Sequence, residues 1–79
     1  MGTITQHGDY VRTEISECIY DSFRPGEAFT TKEAVDVCRE ECESLEEYSQ
    51  AEVFIVVLEV LNWQVRLGLL QKAPTGWRL

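Results

Sequence analysis

The chain has little of what most chemistry needs. It holds one histidine, at position 7, and no glycine-rich loop. Catalysis by a nucleophile needs a base held beside it, and phosphate cradling needs a run of glycines before a helix. Neither pattern is present, so no enzymatic activity is expected. Long hydrophobic runs are also absent. The longest, Val53–Leu58, falls far short of the roughly 20 residues that cross a bilayer. Met1–Asp9 has neither the cationic start nor the apolar core of a secretory leader. Three cysteines cannot all pair internally, and the expectation is free thiols in a reducing, cytoplasmic setting. Basic residues are scarce too, with seven Lys and Arg against fourteen Asp and Glu. That balance disfavours a polyanionic partner, because nucleic-acid affinity comes largely from cations that neutralise phosphates.

What remains is an acidic, foldable chain of 79 residues, enough for one small domain with a thin core. Its charge is unevenly spread. Residues 1–59 hold four basic side chains and all fourteen acidic ones, a net of −10. Residues 60–79 hold Arg66, Lys72 and Arg78 and no acid, a net of +3.

Residues 1–8 read as a flexible tail and 9–79 as a single domain. A first helix is expected from Asp9, a capping residue, to Phe23. Its apolar face carries Val11, Ile15, Cys18, Ile19 and Phe23, and Pro25-Gly26 ends it. Ala28-Phe29-Thr30 is short and suits an extended segment. Thr30-Thr31-Lys32-Glu33 has the Thr-x-x-Glu pattern of a capping box and opens a second helix. Its buried face is Ala34, Val35, Cys38, Cys42 and Leu45. The acids from Glu40 to Glu47 oppose the helix dipole at its end, so fraying is expected near Glu43. Ser49-Gln50-Ala51-Glu52 is a second capping box, and a third helix should run from Gln50 to Leu67 with Gly68 as its stop. Leu69–Ala73, a Pro74-Thr75-Gly76 turn and Trp77-Arg78-Leu79 read as a closing hairpin with Leu70, Trp77 and Leu79 inward. The fold class is therefore α+β, mostly helical, with three helices and a C-terminal β-hairpin.

The order of these elements, and the stretch from Val60 through Gly68 to Leu70 followed by Pro74-Thr75-Gly76 and Trp77-Arg78-Leu79, resembles the winged-helix superfamily. That resemblance implies DNA binding, with the third helix in the major groove and the hairpin along the backbone. Gln50, Arg66, Lys72 and Arg78 are then the candidate nucleic-acid contacts. The residues themselves argue otherwise. The third helix offers few side chains suited to base edges, and Glu46 and Glu47 precede it. A carboxylate near a phosphate costs roughly 1 kcal/mol per pair at 4 Å in water.

The third helix carries two apolar stripes, each spaced 3, 4, 3, 4. One is Ala51, Phe54, Leu58, Leu61 and Val65. The other is Val53, Val56, Val60, Trp63 and Leu67, with Glu52, Glu59, Asn62 and Arg66 between them. One stripe suffices for the domain's own core. The second is read as an interaction stripe, covered by the hairpin, by a second copy or by a different protein. The leading expectation is thus a non-enzymatic, winged-helix-like interaction module that binds protein, itself or another. A small dimeric DNA-binding regulator is the rival, and an acidic mimic of nucleic acid a further one.

Cys38 and Cys42 are four residues apart on one helical face. Such Cβ atoms lie about 5–6 Å apart, too far for a disulfide. A zinc site from Cys18, Cys38, Cys42 and His7 lacks the usual closely spaced pair on a turn, so the cysteines are read as core packing. The acids at 40–47 lack the alternating ligands of a calcium loop and read as a solvated surface. No metal and no cofactor is expected.

Overall fold

The computed structural model describes the backbone of residues 2–79 and the side chains of residues 10–79. Its elements are α1 (Gly2–Ser22), β1 (Ala28–Phe29), α2 (Thr31–Glu41), a 3-10 turn (Glu43–Leu45), α3 (Gln50–Arg66), β2 (Gln71–Ala73) and β3 (Gly76–Arg78). Three helices and a small antiparallel sheet make an α+β, mostly helical fold. No helix among the described residues is long and apolar enough to cross a membrane.

The backbone of α1 continues N-terminal to Asp9 through residues 2–8, the stretch read from sequence as a tail. Asp9 therefore lies inside the helix and not at its cap. Nothing sterically stops the helix there: no proline occurs before Pro25, and one interior glycine costs only about 1 kcal/mol.

Both capping boxes form. Thr30 Oγ1 accepts from the Glu33 N–H at 3.1 Å, and Glu33 Oε1 accepts from the Thr30 N–H at 2.9 Å. Ser49 and Glu52 make the same exchange at 3.2 and 3.0 Å. Helix α2 stops at Glu41, and Cys42 adopts extended backbone angles as its C-cap. The Arg39 guanidinium then donates to the carbonyls of Leu45 and Tyr48, at 3.4 and 2.9 Å, and ties down the turn into α3. Helix α3 ends in a Schellman motif. Gly68 takes φ +78, its N–H donates to the Val65 carbonyl, and the Leu69 N–H donates to the Gln64 carbonyl.

The hairpin gains a third strand. The sheet order is β1-β3-β2, with Phe29 opposite Trp77 and Lys72 opposite Trp77 on the other side. Close approach of β1 to β3 depends on Gly76: a Cβ there would collide with the Phe29 carbonyl oxygen and crowd the Thr30 Cα at 3.0 Å. Trp77 is buried and its Nε1–H donates to Thr31 Oγ1 at 2.9 Å, which ties the sheet to the start of α2. Phe23 stacks on Phe29, with ring centroids 4.1 Å apart.

The core is filled by the expected faces of α1 and α2, together with Leu45, Leu70 and Trp77. Helix α3 differs from its expected pattern. Its buried face is Val53, Val57, Val60, Leu61 and Gln64, taking members of both stripes and two residues of neither. This face lies opposite Glu52, Glu59 and Arg66, midway between the stripes. Among the described residues, Gln64 is the one polar side chain in the core. Its Oε1 accepts from the Tyr20 hydroxyl at 2.6 Å and its Nε2 donates to Ser16 Oγ at 3.1 Å. A polar group buried between α1 and α3 is thereby satisfied and fixes their register.

Candidate interaction surface and thiol cluster

With α3's core face assigned, the interaction stripe divides. Val53 and Val60 are wholly buried in the domain's own core and are closed to any partner. Val56 is half-buried against that core. Trp63 and Leu67 stay exposed, by 45% and 52%. Phe54 and Ile55 are exposed by 44% and 57%, and Leu69 in the turn after α3 by 53%. A short domain can cover only one face of so apolar a helix, and large side chains are left on both flanks of its polar strip.

That strip has its own order. Glu52, Glu59 and Arg66 are seven residues apart and share one line along the outer side of α3. Arg12 of α1 reaches across to Glu59, with Nη2 to Oε2 at 3.1 Å. Both side chains are about half exposed, so the pair contributes little to stability. It does neutralise the middle of the strip.

Arg12, Glu59, Trp63, Arg66 and Lys72 line an open groove of about 910 Å³. Arg66 and Lys72, both singled out from sequence, meet here. Neither has a carboxylate within 4.0 Å among the described residues. Lys72 Nζ also sits 5.9 Å from the Trp77 ring centre. Gln50 lies at the far end of α3 and Arg78 on β3, and neither lines the groove. Arg12 escapes notice in the sequence, because only the docking of α1 brings it to a residue 47 positions away.

A second grouping lies at the seam of α1 and α2. The Sγ atoms of Cys18, Cys38 and Cys42 all lie within 4.8 Å of one another, and all three residues are buried. Burial raises the Cys38 thiol far above its ordinary range, and the neighbouring thiols push it further the same way. Cys42 is pushed up to about 12, again chiefly by burial. Without a metal, Cys38 and Cys42 are therefore protonated and poor nucleophiles at neutral pH. Cys18 and Cys42 form the floor of a small pocket of about 190 Å³ walled by Glu14, Glu17, Asp21 and Glu41. His7, considered with these cysteines in the sequence, lies outside the described side chains.

No family model matches the chain, and no curated protein or solved structure is significantly similar to it.

Proposed function

We propose that this chain is a non-enzymatic, winged-helix-like interaction module that pairs with a second copy of itself through the outer face of α3. The element order supports the winged-helix part: helix, strand, helix, helix and hairpin, with the first strand paired to the last. The observation that carries the pairing is the self-complementary strip. If two α3 helices lie antiparallel, centred on Glu59, the seven-residue spacing sets Arg66 of each copy opposite Glu52 of the other. Arg12 offsets the two central glutamates, and the apolar flanks of Ile55 and Trp63 close on either side. Aromatic side chains at the centre of such a patch carry most of the energy of association.

The test is absolute mass by light scattering behind a sizing column, at several concentrations and moderate salt. The expected result is twice 9.1 kDa. Ile55→Lys with Trp63→Lys should give a monomer with unchanged far-UV circular dichroism, because both residues are solvent-facing. Arg66→Glu should weaken the dimer most at low salt, where charge pairs are least screened. A wild-type monomer at all concentrations refutes the reading.

One observation favours a second reading, in which the groove receives duplex DNA: Arg12, Arg66 and Lys72 surround it. Glu46, Glu47, Glu52 and Glu59 lie on or just before the same helix and oppose a phosphate backbone. Retardation of a duplex at about 50 mM salt that falls steeply as salt rises would favour DNA over self-pairing.

A further inference from the structure

The seam between α1 and α2 holds a feature that the α3 surface does not use. We propose that Cys18, Cys38 and Cys42 form a three-thiolate site for a soft divalent cation of the zinc class, entered through the acidic pocket above them.

The geometry is close to what the metal requires. Zinc–sulfur bonds of about 2.3 Å at tetrahedral angles set sulfurs about 3.8 Å apart. The three Sγ atoms already lie within 4.8 Å of one another, so small side-chain rotations, of about 1 Å at most, bring them to bonding distance. The ligands come from rigid positions. Cys18 sits within α1, Cys38 within α2, and Cys42 at the C-cap where α2 turns out of its helix. The last position supplies the turn that the 38–42 spacing conceals: Cys42 is not on a continuing helix, and its extended backbone frees its thiol to meet Cys38. The existing contacts of these sulfurs are weak ones, Cys18 to Ser22 Oγ at 3.9 Å and Cys42 to the Glu14 carbonyl at 3.8 Å. A metal has little to displace.

The pocket argues for a cation against simple packing. Thiols that merely fill a core need no carboxylates over them. Here Glu14, Glu17, Asp21 and Glu41 wall an opening that reaches Cys18 and Cys42, a field that concentrates cations. Three sulfurs leave a fourth tetrahedral position facing this opening, for water or one of the carboxylates. Glu14 is already oriented, since Ser44 Oγ donates to its Oε1 at 2.6 Å. Sulfur ligands select zinc over magnesium or calcium, which take oxygen. As each S–metal bond forms the thiol gives up its proton, so binding releases up to three protons per ion. The bound ion joins α1 to the end of α2.

The experiment is titration of the reduced full-length chain with Co²⁺, followed by displacement with Zn²⁺. One equivalent of Co²⁺ should produce a thiolate-to-cobalt charge-transfer band, which Zn²⁺ abolishes. Zn²⁺ should raise the Tm by at least about 5 °C. Cys18→Ser should weaken Co²⁺ binding at least tenfold and dim the band. Glu17→Gln with Asp21→Asn should weaken binding a few-fold and leave the band's shape unchanged. Should Cys18→Ser fail to fold, proton release from the wild type reads the same point, because Zn²⁺ binding should liberate up to three protons per ion into a weakly buffered solution. No band with the wild type, a band undimmed in a folded Cys18→Ser variant, or no proton release on adding Zn²⁺ would each overturn the proposal.

Discussion

Replacing Gly76 by alanine tests the pairing that completes the sheet, β1 on β3. A Cβ at Gly76 meets backbone, not a side chain that can swing away, since the colliding atom is the Phe29 carbonyl oxygen. Either β1 separates from β3 or the turn shifts. Overpacking of this kind costs typically about 1–3 kcal/mol. Against it stands a gain of about 0.4–1 kcal/mol from the lower chain entropy of the unfolded state. The net expectation is destabilisation by about 1–2 kcal/mol, or roughly 4–16 °C in Tm for a domain of this size. Urea denaturation followed by circular dichroism and Trp fluorescence measures it. Gly68 is the control, because a Cβ there meets nothing within 4 Å and only its φ of +78 resists substitution. Asparagine tolerates that left-handed conformation, so Gly68→Asn should be nearly neutral while Gly76→Asn is at least as harmful as Gly76→Ala. If Gly76→Ala is neutral or stabilising, β1 does not pack on β3 as described.

Two further outcomes follow from the burial and capping of α3. Leu61→Ala removes a side chain with no solvent exposure and should cost about 2–5 kcal/mol, whereas Ile55→Ala should change monomer stability by less than about 0.5 kcal/mol; equal losses would mean that the core face is misplaced. Ser49→Ala should cost about 0.5–2 kcal/mol, and it should also raise the pKa of Glu52, whose carboxylate is held below its ordinary value by the Ser49 backbone N–H and then its hydroxyl. A carboxyl lowered on folding adds stability above its unfolded pKa and loses it as pH falls through the folded value, so the Ser49→Ala penalty should shrink in acid. Carbon-detected NMR titration of Glu52 in both proteins reads this directly.

Much of this fold is written locally. The capping boxes, the glycine stop of α3 and the buried faces of α1 and α2 each depend on residues within one or two turns of one another. Helix α3 was harder for a physical reason. Val53–Leu58 is apolar at every position, so no period shows within it, and two stripes of equal spacing can be drawn on either side of the true face. The polar residues give the better guide: the core faces away from Glu52, Glu59 and Arg66, which selects Val57 and Gln64, members of neither stripe. Strand β1 is only two residues long and forms through a partner nearly fifty residues away. The thiol cluster was hidden similarly. Two of its cysteines are close in sequence, but the third arrives only when α1 docks, and the turn at Cys42 is visible only once α2 has ended.

Helix α1 joins these features because its two edges face different neighbours. One edge presents Arg12, Ser16 and Tyr20 to α3, through Glu59 and Gln64. The other presents Glu14 and Cys18 to the end of α2, through Ser44 and the two remaining thiols. In a chain this short the apolar centre is too narrow to fill both seams. They are closed instead by groups that must be satisfied one by one: an amide between two hydroxyls on one side, sulfurs and a carboxylate on the other. Satisfied polar seams of this kind fix register more sharply than apolar contact, which tolerates sliding. The position of Arg12 over the α3 strip, and with it the charge pattern on which the proposed pairing rests, is therefore set partly by what holds Cys18 to Cys38 and Cys42 on the opposite edge of the same helix.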